Sequence, residues 1–196
     1  MTAARLISIV FHPVFVNTAA MLLFMQLHPV LAVKLNATQQ TYFSLFYFAI
    51  TALVPLLAVL VLRLTGGVSS LLLTQSSERK IPLMITSGAT LLLFYLFKQI
   101  HAPSPIQLFV LVCAAIVVLL MILNEYAKIS IHMASQGLLV GVLLTFYTYY
   151  DVRWLLLFFI PIAGITASAR LLDEAHTPRQ LIYGFLLGLC CTLLIL

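Results

Sequence analysis

The sequence predicts an all-α, polytopic transmembrane bundle of six or seven spanning helices. Three observations predict it. Hydrophobic residues fill 63% of the 196 positions and charged residues only 8%, whereas a soluble domain is roughly a quarter charged. The apolar residues fall into seven runs, each close to the ~20 residues a bilayer-spanning helix needs. Polar residues gather in the short links between them. No water-soluble fold could bury this much apolar surface, so the bilayer is the solvent. Residues 1–196 are therefore expected to form a single integral membrane domain.

The elements follow in order. The first run, 6–27, carries Arg5 before it. It exceeds the ~7–15 residues of a signal-peptide core and lacks a clear small-residue cleavage site, which predicts a retained helix. Its His12, just before Pro13, reads as a packing residue, with a supporting part in a polar site as the alternative. The second run, 42–64, contains Pro55, tolerated where neighbouring helices re-satisfy the freed carbonyl. The third and fourth, 82–100 and 106–124, are punctuated by Pro82, Pro103 and Pro105. His28 and His101 lie near links and read as solvated. The fifth run, 132–149, ends in Tyr147 and Tyr149, and with Tyr150 and Trp154 these form an expected interfacial belt. The sixth, 154–172, contains Pro161; the seventh, 179–196, follows Pro178 and is short. Gly137 and Gly141, and again Gly184 and Gly188, have the small-x3-small spacing that lets helices approach closely. Cys113, Cys190 and Cys191 lie in apolar stretches without disulfide or metal spacing and read as small buried hydrophobes.

The net charge of +5 comes from ten basic against five acidic residues. The positives are scattered between apolar runs, which argues against a nucleic-acid surface. They either set topology or bind an anion. With seven crossings, the links 65–81, 125–131 and 173–178 share one face. That face gathers Glu78, Arg79, Lys80, Glu125, Lys128, His132, Arg170, Asp173, Glu174, His176 and Arg179. His132 and Arg170 fall at or inside helix ends, where a polar group is expensive and usually functional. Fixed cations with two histidines suit phosphate. Arginine offers a fork to phosphate oxygens and lysine a point charge. One neutral imidazole can attack phosphorus; the other can protonate the leaving oxygen. The cations spread the transition-state charge. No metal or other cofactor is expected, since no H-E-x-x-H type of cluster occurs.

These residues carry a resemblance. Arg170-x5-His176-Thr-Pro-x-Gln180-x3-Gly184-x3-Gly188 resembles the third signature, S-R-x5-H-x3-D, of the type 2 phosphatidic acid phosphatase superfamily (lipid phosphate phosphatases and vanadium haloperoxidase-like proteins). Lys128-Ile-Ser130-Ile-His132 resembles the second, P-S-G-H, and Glu78-Arg79-Lys80-Ile-Pro82 the end of the first, K-x6-R-P. The chain looks like a divergent member. The resemblance implies that His176 is the nucleophile and His132 the acid for the leaving alcohol. It implies that Arg170, Ser130 and one of Arg79 or Lys80 bind phosphate. Lys128 is added on charge and proximity to the motif. Four positions depart from the pattern: Ile131 for glycine, Leu72 for the first lysine, Ala169 for serine, and Gln180 for the aspartate that orients the nucleophile. Glutamine can accept the imidazole N–H, but it brings no charge and its NH2 can fix the wrong tautomer. Asp173, three residues before His176, is expected to share a helical face with it as a substitute; Glu125 and Glu78 are alternatives.

The expected function is hydrolysis of a lipid phosphate or diphosphate through a phospho-histidine, without a metal. Phosphatidic acid, phosphatidylglycerol phosphate, an isoprenoid diphosphate and a lipid A phosphate are all candidates. The alternative is a relative that binds or transports a phosphorylated lipid without turnover. A generic bundle or channel would instead leave Arg170, His132 and His176 apart. The expected partners are the lipid substrate and the bilayer, with no nucleic acid; the sequence sets no oligomeric state. The resemblance implies a multi-pass protein of a bacterial inner membrane with its site facing the periplasm.

Overall fold

The computed structural model describes residues 2–69 and 77–196, and every regular element in them is helical. Among the described residues, six stretches are long and apolar enough to cross a membrane: Ala3–Leu27, Ala37–Leu64, Ser77–Gln99, Ser104–Leu123, Arg153–Leu172 and Pro178–Ile195. The protein is thus an all-α polytopic bundle. Two compact units divide it: Met1–Thr41 with Ile129–Leu196, and Tyr42–Lys128.

In the first unit the expected 6–27 helix is broken. Helix α1 spans Ala3–Val10 and α2 spans Pro13–Leu27. The residue before a proline is pushed out of helical geometry; His12 accordingly has ψ 142° and caps α2. The link after it holds a short helix, α3 (Pro29–Lys34), and α4 begins at Ala37. His28 is half-buried, with its ring 5.4 Å from Phe24 and 6.0 Å from Phe146, not solvated as expected. Helix α8 (Ile131–Phe146) is the shaft of the unit and is buried continuously from Met133 to Leu143. Its all-round hydrophobicity requires cover on every side, and α2, α9 (Arg153–Leu172) and α10 (Pro178–Ile195) pack on it. With 16 residues, α8 is about 24 Å long, short of the ~30 Å apolar core. The expected run 132–149 is therefore a shorter helix. The chain leaves it through the tyrosine cluster, where Tyr149 and Trp154 are both exposed.

The α8–α10 seam follows from the glycines. A Cβ on Gly137 would overlap the Phe185 carbonyl, and one on Gly188 the Ala134 carbonyl. Gly184 faces the Ser130 carbonyl in the same way, and Gly141 faces Thr192. The two helices meet backbone to backbone at Gly137, Gly184 and Gly188, while Gly141 makes room for the Thr192 side chain, as small-x3-small spacing predicts. On the outer side of α10, Cys190 is exposed, so the expectation of burial fails for it; Cys113 is buried.

The second unit contains the end of α4 (Ala37–Phe48), a π-turn Ala49–Leu53, α5 (Val54–Leu64), a 3-10 turn Ser77–Arg79, α6 (Lys80–Gln99) and α7 (Ser104–Leu123). The π-turn explains how Pro55 is tolerated. Its ring would clash with the carbonyl four residues back. The ladder widens instead, and Val54 N–H donates to Ala49 O. Helices α6 and α7 pack together. The Tyr47 hydroxyl and Cys113 Sγ share a buried hydrogen bond of 3.2 Å. Tyr47→Phe should lower stability by about 0.5–1 kcal/mol, the net worth of one modest hydrogen bond. Thermal unfolding of the detergent-solubilised chain checks this; an unchanged midpoint would remove the bond from the account.

Candidate functional site

Polar residues recur at i, i+4 spacing inside the apolar helices of the first unit. They are Ser8 and His12 around the α1–α2 break, His132 and Gln136 on α8, and Thr166 and Arg170 on α9. Such pairs lie one above the other on a helix face. Two levels result. At the first, Gln136 Nε2 donates to Thr166 Oγ1 at 3.3 Å, and Thr166 donates to the Ile162 carbonyl at 2.8 Å. Both side chains are buried. At the second, one turn along, everything meets at Ser8. Arg170 Nη1 donates to the Ser8 hydroxyl at 3.4 Å. His132 Nε2 lies 3.1 Å from the Ser8 carbonyl. A carbonyl only accepts, so Nε2 carries the proton. The His12 ring stands edge-on to His132, centroids 5.5 Å apart. His132 is within electrostatic reach of Arg170, His12 and His176.

Arg170 has an unusual environment. Its Nε is buried without an acceptor, and no carboxylate lies within ion-pair distance among the described residues. It occupies the last turn of α9, where the helix dipole offsets only part of a full charge.

His176 is set by Gln180. Thr177 caps α10 and forms a capping box: its Oγ1 accepts Gln180 N–H at 3.5 Å, and Gln180 Oε1 accepts Thr177 N–H at 3.1 Å. His176 Nδ1 lies 3.1 Å from the same Oε1. A backbone N–H can only donate, so the amide oxygen must face it. The imidazole must then donate from Nδ1, which leaves Nε2 with the lone pair. The capping box therefore excludes the wrong tautomer that an isolated glutamine would allow. Gln180 also sets the register of α8, since its carbonyl accepts Ser130 N–H at 3.3 Å. Ser130 is fully buried, and its hydroxyl accepts Met133 N–H at 3.4 Å as the N-cap. His132 follows two residues later. Gly184, facing the Ser130 carbonyl, makes this approach possible.

Gln180→Leu removes the capping box and the tautomer lock together. It should cost about 1 kcal/mol of stability and leave the ring free to turn. Gln180→Glu keeps the box, adds the missing charge, and should raise any turnover that depends on His176. Parallel thermal unfolding and rate measurements check both; a slower Gln180→Glu chain would contradict the orienting role.

Five of the expected residues, Ser130, His132, Arg170, His176 and Gln180, lie in the first unit with the contacts given. Asp173 does not take the expected position. It is the C-cap of α9, Glu174 follows with φ 51°, and α10 begins only at Pro178. His176 sits in the link, so no common helical face exists. Glu125 pairs with Lys80 at 3.0 Å, and Glu78 Oε1 accepts Ser69 N–H at 2.5 Å. The partner of His176 Nδ1 is Gln180. Arg79, Lys80 and Lys128 belong to the second unit; there Arg79 is buried and Lys128 half-buried. Leu72 and Ser76 lie outside the described residues. The sequence reading missed Ser8 and Thr166, and found no reason to single out Gln136. The signal was present as polar pairs four apart inside apolar runs.

The fold and this cluster define the class: a multi-pass α-helical membrane protein with a charged, histidine-containing centre between its helices. No family model, curated protein or solved structure matches the chain.

Proposed function

We propose that the protein is a membrane lipid phosphatase that uses His176 as nucleophile. The observation that carries the reading is Arg170, a guanidinium among apolar helices with a buried Nε–H that no group accepts and no carboxylate partner among the described residues. Charge in such surroundings is expensive until an anion joins it. A phosphate supplies two oxygens to the fork.

In this mechanism His176 Nε2 attacks phosphorus and the bond to the lipid oxygen breaks. His132 gives that oxygen a proton through Nδ1, since Nε2–H is held by Ser8; buried beside Arg170 and His12, the ring takes up that proton only with the substrate's negative charge in the site. Water then attacks phosphorus, the phosphorus–nitrogen bond breaks, and neutral His132 takes the water's proton. Phosphate leaves and His176 Nε2 regains its lone pair. Arg170 stabilises the charge on the non-bridging oxygens throughout. The head group reaches the site from the membrane surface while the tails stay in lipid. A site facing the periplasm of a bacterial inner membrane fits the resemblance.

A second reading, binding without hydrolysis, is favoured by one observation: the acceptor on His176 is an uncharged amide. Neutralising the orienting aspartate of a Ser-His-Asp enzyme costs about 10⁴ in kcat. Phosphate release from a panel of lipid phosphates by the detergent-purified chain separates the two. Turnover of any member supports the phosphatase. Lipid binding without turnover across the panel supports the binder.

A further inference from the structure

We infer that His12 is a third histidine of this site and a direct ligand of the phosphate group. The inference rests on the anion-site reading above and extends it to the N-terminal segment, which no part of the resemblance covers.

The argument starts from the break between α1 and α2. There His12 caps α2, its Nδ1 accepting Val14 N–H at 3.4 Å. An imidazole nitrogen that accepts holds no proton, so neutral His12 carries its proton on Nε2. No acceptor for that Nε2–H exists among the described residues. Unlike His176, the residue is exposed. Its ring meets His132 edge-on, with 82° between the planes. It also lies within electrostatic reach of Arg170. Ser8, one turn earlier, anchors both His132 and Arg170. The same short segment thus holds two members of the cluster and places a spare donor beside them.

Capping does not explain the residue type. Serine, aspartate, asparagine and threonine cap better than an imidazole, and none reaches as far with an N–H on the side away from the cap. Phosphate does explain it. The Arg170 fork serves two oxygens, and a third oxygen needs a separate donor. Neutral His12 supplies that donor through Nε2–H while its Nδ1 keeps the cap on α2.

The test is binding of inorganic phosphate to the full detergent-purified chain, followed by 31P line broadening, with wild type, Arg170→Ala and His12→Asn compared. Asparagine keeps the cap and removes the Nε2–H. The expected result is phosphate binding by wild type, weakened about tenfold or more in each variant, the scale of one lost hydrogen bond to a charged group. Weakening in Arg170→Ala with wild-type binding in His12→Asn would overturn the role of His12 and leave the anion site standing. Failure of the wild type itself to bind phosphate would overturn both. A second measurement covers a misfolded variant. In the wild-type chain labelled with 15N-histidine, saturating phosphate should move the His12 Nε2 resonance; an unmoved resonance would equally overturn the inference.

Discussion

Alanine at position 176 is expected to abolish phosphate release, a loss of about 10³-fold or more, with the capping box of α10 kept. The magnitude follows from the role. A covalent nucleophile cannot be bypassed without changing mechanism, and removal of one member of a concerted set leaves only the residual rate from binding and electrostatics. The survival of the cap follows from position. His176 sits in the link before α10, and its bond to Gln180 is one of two on that amide oxygen; the capping box remains when the ring goes. The companion variant His132→Ala should discriminate by leaving group. It should slow release from a lipid alcohol strongly and from a nitrophenyl ester weakly, because a stable phenolate needs no proton. Equal losses on both substrates would reject His132 as the acid. Retained turnover in His176→Ala would reject the phospho-histidine outright.

Gly188→Ala is expected to destabilise the first unit strongly. The new Cβ would land on the Ala134 carbonyl, which is backbone and cannot rotate aside. Helices α8 and α10 would have to separate along the seam that also brings Ser130 to Gln180. A cost near 3 kcal/mol is expected, toward the top of the usual overpacking range, and catalytic geometry should fail with it. Gly164→Ala is the control. It is the same chemical change in a membrane helix, but no atom lies within 4 Å of the added Cβ. Only the helix propensity gain, up to about 1 kcal/mol, remains. Opposite signs in unfolding assays of the two purified variants are the expected result. A neutral Gly188→Ala would remove the backbone contact from the account of the fold.

Much of the site was legible as residue types. Arg170, His132 and His176 stand out because each interrupts apolar sequence. The role of Gln180 was half legible. Its ability to accept from His176 follows from its chemistry, but which tautomer it fixes depended on the capping box with Thr177. Asp173 was misplaced because three-residue spacing implies a shared face only if the helix continues, and α9 ends at Leu172. His12 was read as packing because nothing local connects it to His132.

The sequence by itself determined the solvent, the helical class, the apolar stretches and the close approach marked by the glycines. These depend on the transfer free energy of single side chains and on spacing along one helix, which a linear string contains. Only the tertiary structure decided that Ser8 meets His132 and Arg170 across 124 and 162 positions of chain, that α8 is the buried shaft, and that Arg170 has no carboxylate within ion-pair distance among the described residues. Those are properties of pairs brought together by packing. In a chain where apolar residues are nearly everywhere, hydrophobic pattern alone cannot say which helix face meets which.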